Sequence, residues 1–296
     1  MLLKQYARHF ANIPHFRSRK VKGKCEDFNP RFLMWDFSQN RQGGYYFNEI
    51  PEEKPKVSVI VRTCGRPAVL RETLISLRHQ TYPNMEVVVV EDGEDVSGKM
   101  IREEFGDMNI HYFATGEKVG RSRAGNLGME KASGRYLNFL DDDDLFFADH
   151  VEVLVSQLIK GKNRAAYAFA FETPVEIHSR DPYEYTVKRY REVHTQEFDK
   201  VTLCHHNYIP IQTIMFEKKL FEEFGGLDET LDALEDWDLW VRYSLHTDFT
   251  CVKKTTSVYR VPHNRKFNSE RQKALDEALV VVRNKHKHYI QTVSVY

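Results

Sequence analysis

The chain has 296 residues, 41% hydrophobic and 29% charged, the balance of a folded globular protein and not of a disordered one. Lysine plus arginine and aspartate plus glutamate both number 43, so the basic footprint of a nucleic-acid binder is missing and no nucleic-acid partner is expected. The four cysteines, Cys25, Cys64, Cys204 and Cys251, form no CxxC pair, which excludes the common zinc and small-disulfide frameworks.

Residues 1–24 carry seven basic side chains and no acid, with Leu2, Leu3, Tyr6, Phe10 and Ile13 at helical spacing. This basic amphipathic segment suits an anionic membrane surface, or else a terminal helix docked on the body. No apolar run is long enough to span a bilayer, and MLLKQYARHF lacks the apolar core of a signal peptide. A cytoplasmic protein, peripheral on the inner membrane face, is expected. Residues 25–55 are irregular and aromatic-rich, and read as an arm wrapped on the main body.

Regular structure is predicted from residue 57 onward. VSVIVR (57–62) reads as a buried strand and PAVLRETLISLRHQ (67–80) as a helix with Leu70, Leu74 and Leu77 on one face. MEVVVV (85–90) is a second buried strand, followed by a weaker helix near 96–105 and a strand at 109–113. SRAGNLGMEKA (122–132) is a helix stopped at Ser133-Gly134, and RYLNFL (135–140) the next strand. Strand–helix alternation at this spacing makes an α/β fold, a mostly parallel sheet flanked by helices. Strands are also predicted at 164–171, 185–193, 248–252 and 256–261. Helices are predicted at 217–224, at 236–245, and from a cap at Ser269 toward His288.

Ligands of such sheets bind beyond the carboxyl ends of the strands. The residues there are Thr63-Cys64-Gly65-Arg66, Glu91-Asp92-Gly93 and Asp141–Asp144. The last group stands in YLNFLDDDDLFF, four acids between apolar runs. Unit charges about 4 Å apart repel by roughly 1 kcal/mol even in bulk water. A hard cation, Mg²⁺ or Mn²⁺, would relieve that repulsion and leave coordination positions for substrate phosphates. The bland alternative is an acidic loop capping the following helix. No P-loop and no GxGxxG follows the first strand, so a phosphate ligand would fall to the metal and to Arg62, Arg66 and Arg123. A second acidic stretch, GGLDETLDALEDWDLWVRY, places Glu235-Asp236 at a helix start, where the dipole favours ionised carboxylates.

VSVIVRTCGR, MEVVVVEDG, GRSRAGNLGMEKASGRYLNFLDDDD and GGLDETLDALEDWDLWVR, in this order, resemble the inverting nucleotide-sugar glycosyltransferase family 2, with its GT-A (Rossmann-like) fold. The resemblance covers about 56–262. It implies a catalytic domain over 56–268, with a nucleotide-sugar half (56–145) and an acceptor half (146–268); residues 1–55 and the tail after about 270, read above as a C-terminal helix and assigned to 269–296, lie outside it. It implies that Thr63, Arg66 and Asp92 hold uridine and that Asp142 faces the ribose. Glu235 would stand on the donor side. Asp143, assisted by Asp141 and by His263, would bind Mn²⁺ or Mg²⁺, and Asp236 would be the catalytic base. Arg62, Cys64 and Gly125 depart from the family's usual proline, aromatic and arginine. The activity implied is transfer of a hexose from a UDP-sugar to a glycan or lipid-linked glycan, in cell-surface polysaccharide assembly. Residues 172–215 would shape the acceptor side. A non-catalytic, cation-dependent binding module and a nucleotidyltransferase share the sheet and the acids.

Overall fold

The computed structural model describes residues 22–24, 54–263 and 265–293. The basic segment therefore lies outside the described residues except for Lys22–Lys24, and the aromatic arm except for its last two. Lys22–Lys24 form a short strand, β1.

Four parallel strands carry the first half: β2 (Val57–Thr63), β3 (Met85–Glu91), β4 (Ile110–Ala114) and β5 (Tyr136–Asp141), in the order β5-β2-β3-β4. Every residue of β2 is buried, as its unbroken apolar run requires of a strand covered on both faces. Its side chains divide by parity. Val57, Val59 and Val61 meet Leu70, Leu74 and Leu77 of α1 (Pro67–Arg78), while Ile60 joins Ala124 and Met129 of α3 (Arg121–Lys131) on the other face. Between them, α2 (Gly98–Glu104) links β3 to β4. Helix α3 lies very close to the sheet: a Cβ on Gly128 would stand 2.4 Å from Ile60 Cγ2.

The second half extends the same sheet with antiparallel strands. β10 (Ile214–Glu217) lies between β5 and the long β7 (Ala165–Arg180), antiparallel to both. β8 (Tyr183–Val187) and β9 (Arg191–His194) fold back on β7, and β1 edges β8. β11 (Phe249–Pro262) runs parallel to β7 with two register shifts and also pairs β6 (Leu145–Phe146). The stretch predicted as one strand over 185–193 is thus two, and the strands predicted over 248–252 and 256–261 are one bulged strand. β10 escapes prediction because its three apolar residues, Ile214 to Phe216, are too few to show a period.

Helices α4 (His150–Lys160), α5 (Lys200–His205), α6 (Lys218–Phe224) and α7 (Glu235–Ser244) cover this half. The C-terminal helix α8 begins at Arg265, so Ser269 lies inside it and not at its cap. It is bolted to α7 around the fully buried Asp238: His286 Nε2 lies 2.8 Å and Lys285 Nζ 2.8 Å from Asp238 Oδ1, and Arg242 Nε donates to Oδ2 at 2.9 Å.

Candidate active site

Strands β2, β3 and β5 end side by side, Thr63 opposite Glu91 and Arg62 opposite Asp141. Beyond them opens a cleft of about 200 Å³ whose walls include Thr63, Arg66, Asp92, Arg121 and Asp141–Asp143. The β2–α1 turn is shaped by Gly65, whose φ of +62° is a conformation L side chains rarely adopt, and Gly65 N donates to Glu91 Oε1 at 2.6 Å. The Asp92 carboxylate accepts from Val119 N at 2.6 Å and from Gly120 N at 3.2 Å, fixing the loop that leads into α3.

The four acids do not all continue the strand: Asp142 and Asp143 sit in a turn closed by Asp144 N, which donates to Asp141 O at 3.0 Å. Asp142 and Asp144 turn inward and are buried, while Asp141 and Asp143 keep 27% and 38% of their side-chain surface. Asp142 forms the cleft floor. It accepts from Thr63 Oγ1 at 2.7 Å and Arg66 Nε at 3.0 Å, and pairs with Arg66 Nη2. Burial nevertheless pushes it up to about 7. Asp144 accepts from Arg260 N at 2.8 Å, away from the cleft, and burial raises it well above the usual range. Both Asp141 oxygens are taken by Arg62, Nε–Oδ1 at 2.8 Å and Nη2–Oδ2 at 3.0 Å. Burial acts to raise Asp141, but that guanidinium outweighs it and holds the carboxyl low.

Arg62 lines the cleft, but in this structure its guanidinium is engaged by acids. Its remaining Nη1 donates to Glu235 Oε1 at 2.9 Å, and its side chain is 6% exposed. The arginine that stands where the family has proline is a cross-brace, tying the end of β5 to the start of α7. Arg123, the other arginine assigned to phosphate by its sequence position, points to Glu229 at 3.1 Å, outside the cleft walls. Arg121 occupies the cleft wall instead, 58% exposed. One helical turn separates 121 from 124 and sets 123 on a different face, a distinction the glycine-rich sequence hides.

Among the described residues no three His, Cys, Asp or Glu side chains are grouped to cage a metal. His263, just past β11, is exposed and is not among the cleft walls. Asp143 has one contact to Arg66 Nη1, at 3.3 Å, and spare lone pairs toward the cleft. Mg²⁺ commonly takes one or two protein carboxylates and fills its other positions with waters and phosphate oxygens. Asp143 fits that role; a cage of Asp141, Asp143 and His263 does not fit this arrangement.

Helix α7 begins after Leu234, whose left-handed backbone (φ 59°, ψ 20°) turns the chain toward the cleft. This presents Glu235 to Arg62 and leaves Asp236 half-buried on the neighbouring face. Asp236 accepts from Trp237 N at 2.7 Å and from Asn207 Nδ2 at 3.2 and 3.3 Å. Burial, and then the Glu235 carboxylate, push it up to about 7. The helix start does not keep it fully ionised at neutral pH, as the dipole alone suggests; desolvation is the larger effect.

The model of glycosyl transferase family 2 matches residues 58–224, more than half of the chain. The chain belongs to that family. An uncharacterized glycosyltransferase of Rickettsia typhi is 27% identical over 190 residues, 64% of this chain and 58% of that protein. The chain thus spans little more than half of that relative's length. Glycosyltransferase GlyA of Streptococcus pneumoniae is 38% identical over 107 residues, 36% of this chain and 15% of its own. Two solved structures share the fold. The mannosyltransferase PcManGT from Pyrobaculum calidifontis, in complex with GDP-Man and Mn²⁺, has a TM-score of 0.62 at 20% identity, covering 88% of this chain and 72% of its own. S. aureus TarS 1–349 in complex with UDP-GlcNAc has a TM-score of 0.57 at 17% identity, covering 72% of this chain and 61% of its own. The α/β sheet curled between helices therefore has the GT-A fold, and no helix of the described residues is long and apolar enough to cross a membrane.

Proposed function

We propose that this glycosyltransferase is a cation-dependent, inverting hexosyltransferase that uses a UDP-sugar and a glycan or lipid-linked glycan acceptor in cell-surface polysaccharide assembly. The observation that carries the reading is the pairing of two unlike sites across one brace. An arginine-walled, acid-ended cleft lies on one side of Arg62. A carboxylate poised near neutrality, Asp236, lies beside Glu235 on the other.

Thr63, Arg66 and Asp92 bound the part of the cleft that would seat the nucleoside. Asp92 keeps Oδ2 only weakly engaged, at 3.2 Å from Gly120 N, and so can accept from a nucleobase N–H. Arg121 and Arg66 supply guanidinium donors for the diphosphate. A bound Mn²⁺ or Mg²⁺, held by Asp143 and the diphosphate oxygens, would stabilise the charge of the leaving group. Asp236 takes the proton of the attacking hydroxyl; a pKa near the working pH is what a general base needs. With one carboxylate as base and none needed as nucleophile, the anomeric centre inverts in a single displacement.

A panel of UDP-hexoses and UDP-N-acetylhexosamines, incubated with Mn²⁺ or Mg²⁺ and scored for UDP release, tests this. Release from at least one donor, abolished by chelator, is expected. No release from any UDP-sugar, with release from another nucleotide-sugar, would overturn the donor assignment.

A further inference from the structure

We infer that Asn207 is a positioning residue for the transfer reaction: its side-chain amide aims the Asp236 carboxylate at the acceptor hydroxyl. This rests on the reading of Asp236 as the base. Asn207 lies in the stretch between β9 and β10, inside the 172–215 segment expected on the acceptor side, where no individual residue stands out in the sequence.

The amide has a fixed sense. Its Oδ1 accepts from Ile209 N at 3.3 Å, so Nδ2 is the end that faces Asp236, and it reaches both carboxylate oxygens. The main chain on either side of Asn207 is anchored to the helix that carries Asp236. The Trp237 indole donates to Leu203 O at 2.6 Å and the Trp240 indole to Ile209 O at 3.1 Å, both side chains fully buried. Tyr208 Oη closes the loop by bonding Asp199 N and O at 2.9 and 3.0 Å. A half-buried asparagine with only a solvation role has no need of such anchoring, because water would satisfy it.

The chemistry of the donor also fits. Of the charged groups that act on Asp236, Glu235 opposes its ionisation and Arg62 favours it. His206, next to Asn207, is exposed. A lysine or arginine in place of Asn207 would lower the carboxylate strongly and weaken it as a base. A neutral amide steadies the anion and leaves its basicity near neutrality. It also differentiates the two oxygens. Oδ1 accepts from both Trp237 N and Asn207, while Oδ2 accepts from Asn207 alone. Oδ2 therefore has the free lone pair to take the hydroxyl proton as the acceptor oxygen bonds the sugar and UDP departs with the electron pair of the old bond.

The test compares wild type with Asn207→Ala, Asn207→Asp and Asp236→Asn. Each is assayed for turnover of the panel's fastest UDP-sugar, for UDP affinity by calorimetry, and for the Asp236 titration by NMR of ¹³Cγ-aspartate protein. The Asp236→Asn spectrum assigns the signal. Asn207→Ala is expected to lose roughly 10- to 100-fold in kcat, the scale of a misplaced reacting group, at unchanged UDP affinity, with the Asp236 midpoint moved up. Asn207→Asp keeps the shape, guards against a folding failure of the alanine variant, and should move the midpoint further up by facing one carboxylate with another. A wild-type kcat or an unmoved midpoint in the folded Asn207 variants overturns the inference. If Asp236→Asn itself keeps turnover, the reading of Asp236 as base fails, whatever Asn207 does.

Discussion

Replacing Arg62 by alanine should cost about 4 kcal/mol, chiefly through the charge it strands. The guanidinium makes two contacts to Asp141, at 2.8 and 3.0 Å, and one to Glu235 at 2.9 Å. Asp141 is about a quarter exposed, so water replaces most of what it loses, and its share is roughly 1 kcal/mol. Glu235 is 4% exposed and would keep only Arg121, at 3.9 Å. Removing one partner of a buried pair costs about 3–5 kcal/mol, and Arg121 puts this case at the lower end, about 3. Arg62→Lys keeps the charge but not the two-sided fork, and should recover about half. Urea unfolding with an unchanged m-value is the assay. The pH dependence has a definite sign. Arg62 holds the folded Asp141 pKa low, so the Asp141 part of the loss is present above the unfolded value, about 4. It disappears as pH falls through the folded value. A loss under about 1 kcal/mol at pH 7 would refute the idea that a buried brace joins β5 to α7.

Asp143→Ala should weaken UDP binding when Mn²⁺ or Mg²⁺ is present and change it little in chelator, measured by calorimetry; full activity of this variant in excess chelator would remove the metal from the account. Asp238→Asn should cost about 3 kcal/mol by unbalancing Arg242, Lys285 and His286. Because those partners, against burial, hold Asp238 low, its contribution exists above about pH 4 and fades as pH falls through the folded value. Urea titrations at pH 7 and pH 3 compare the two regimes, and equal losses at both would be the wrong result. Deleting residues 1–24 should abolish low-salt flotation with anionic vesicles, where each basic residue near the surface contributes about 1 kcal/mol. Full-length protein that never floats removes the membrane contact.

The parallel half of the fold is legible in the sequence because its strands are buried on both faces and read as unbroken runs, VSVIV and VVVV, between amphipathic helices. The antiparallel half is less so. Long β7 and bulged β11 are interrupted by polar residues, and β10 is too short to show a period. The positions of the acids could be read from their place at strand ends, yet their partners could not. Arg62 pairs with Asp141 across 79 residues and with Glu235 across 173, and no local pattern announces such a contact. Arg121 and Arg123 differ by two positions on one helix, so only the helix phase decides which one faces the cleft. Asn207 carried no signal either, because its meaning depends on two tryptophans about 30 residues away. Desolvation is likewise a property of the folded surroundings, which is why Asp236 sits nearer neutrality than the helix dipole suggests.

The proposed inversion, with Asp236 as the only catalytic carboxylate, can be tested with water as the acceptor. UDP-α-hexose hydrolysis is followed by ¹H NMR from its first minutes, before mutarotation mixes the anomers, with wild type and Asp236→Asn side by side. β-Hexose is expected to emerge first from wild type, and Asp236→Asn to be slower by about 10²-fold or more. α-Hexose emerging first, or an Asp236→Asn enzyme as fast as wild type, would contradict the proposal.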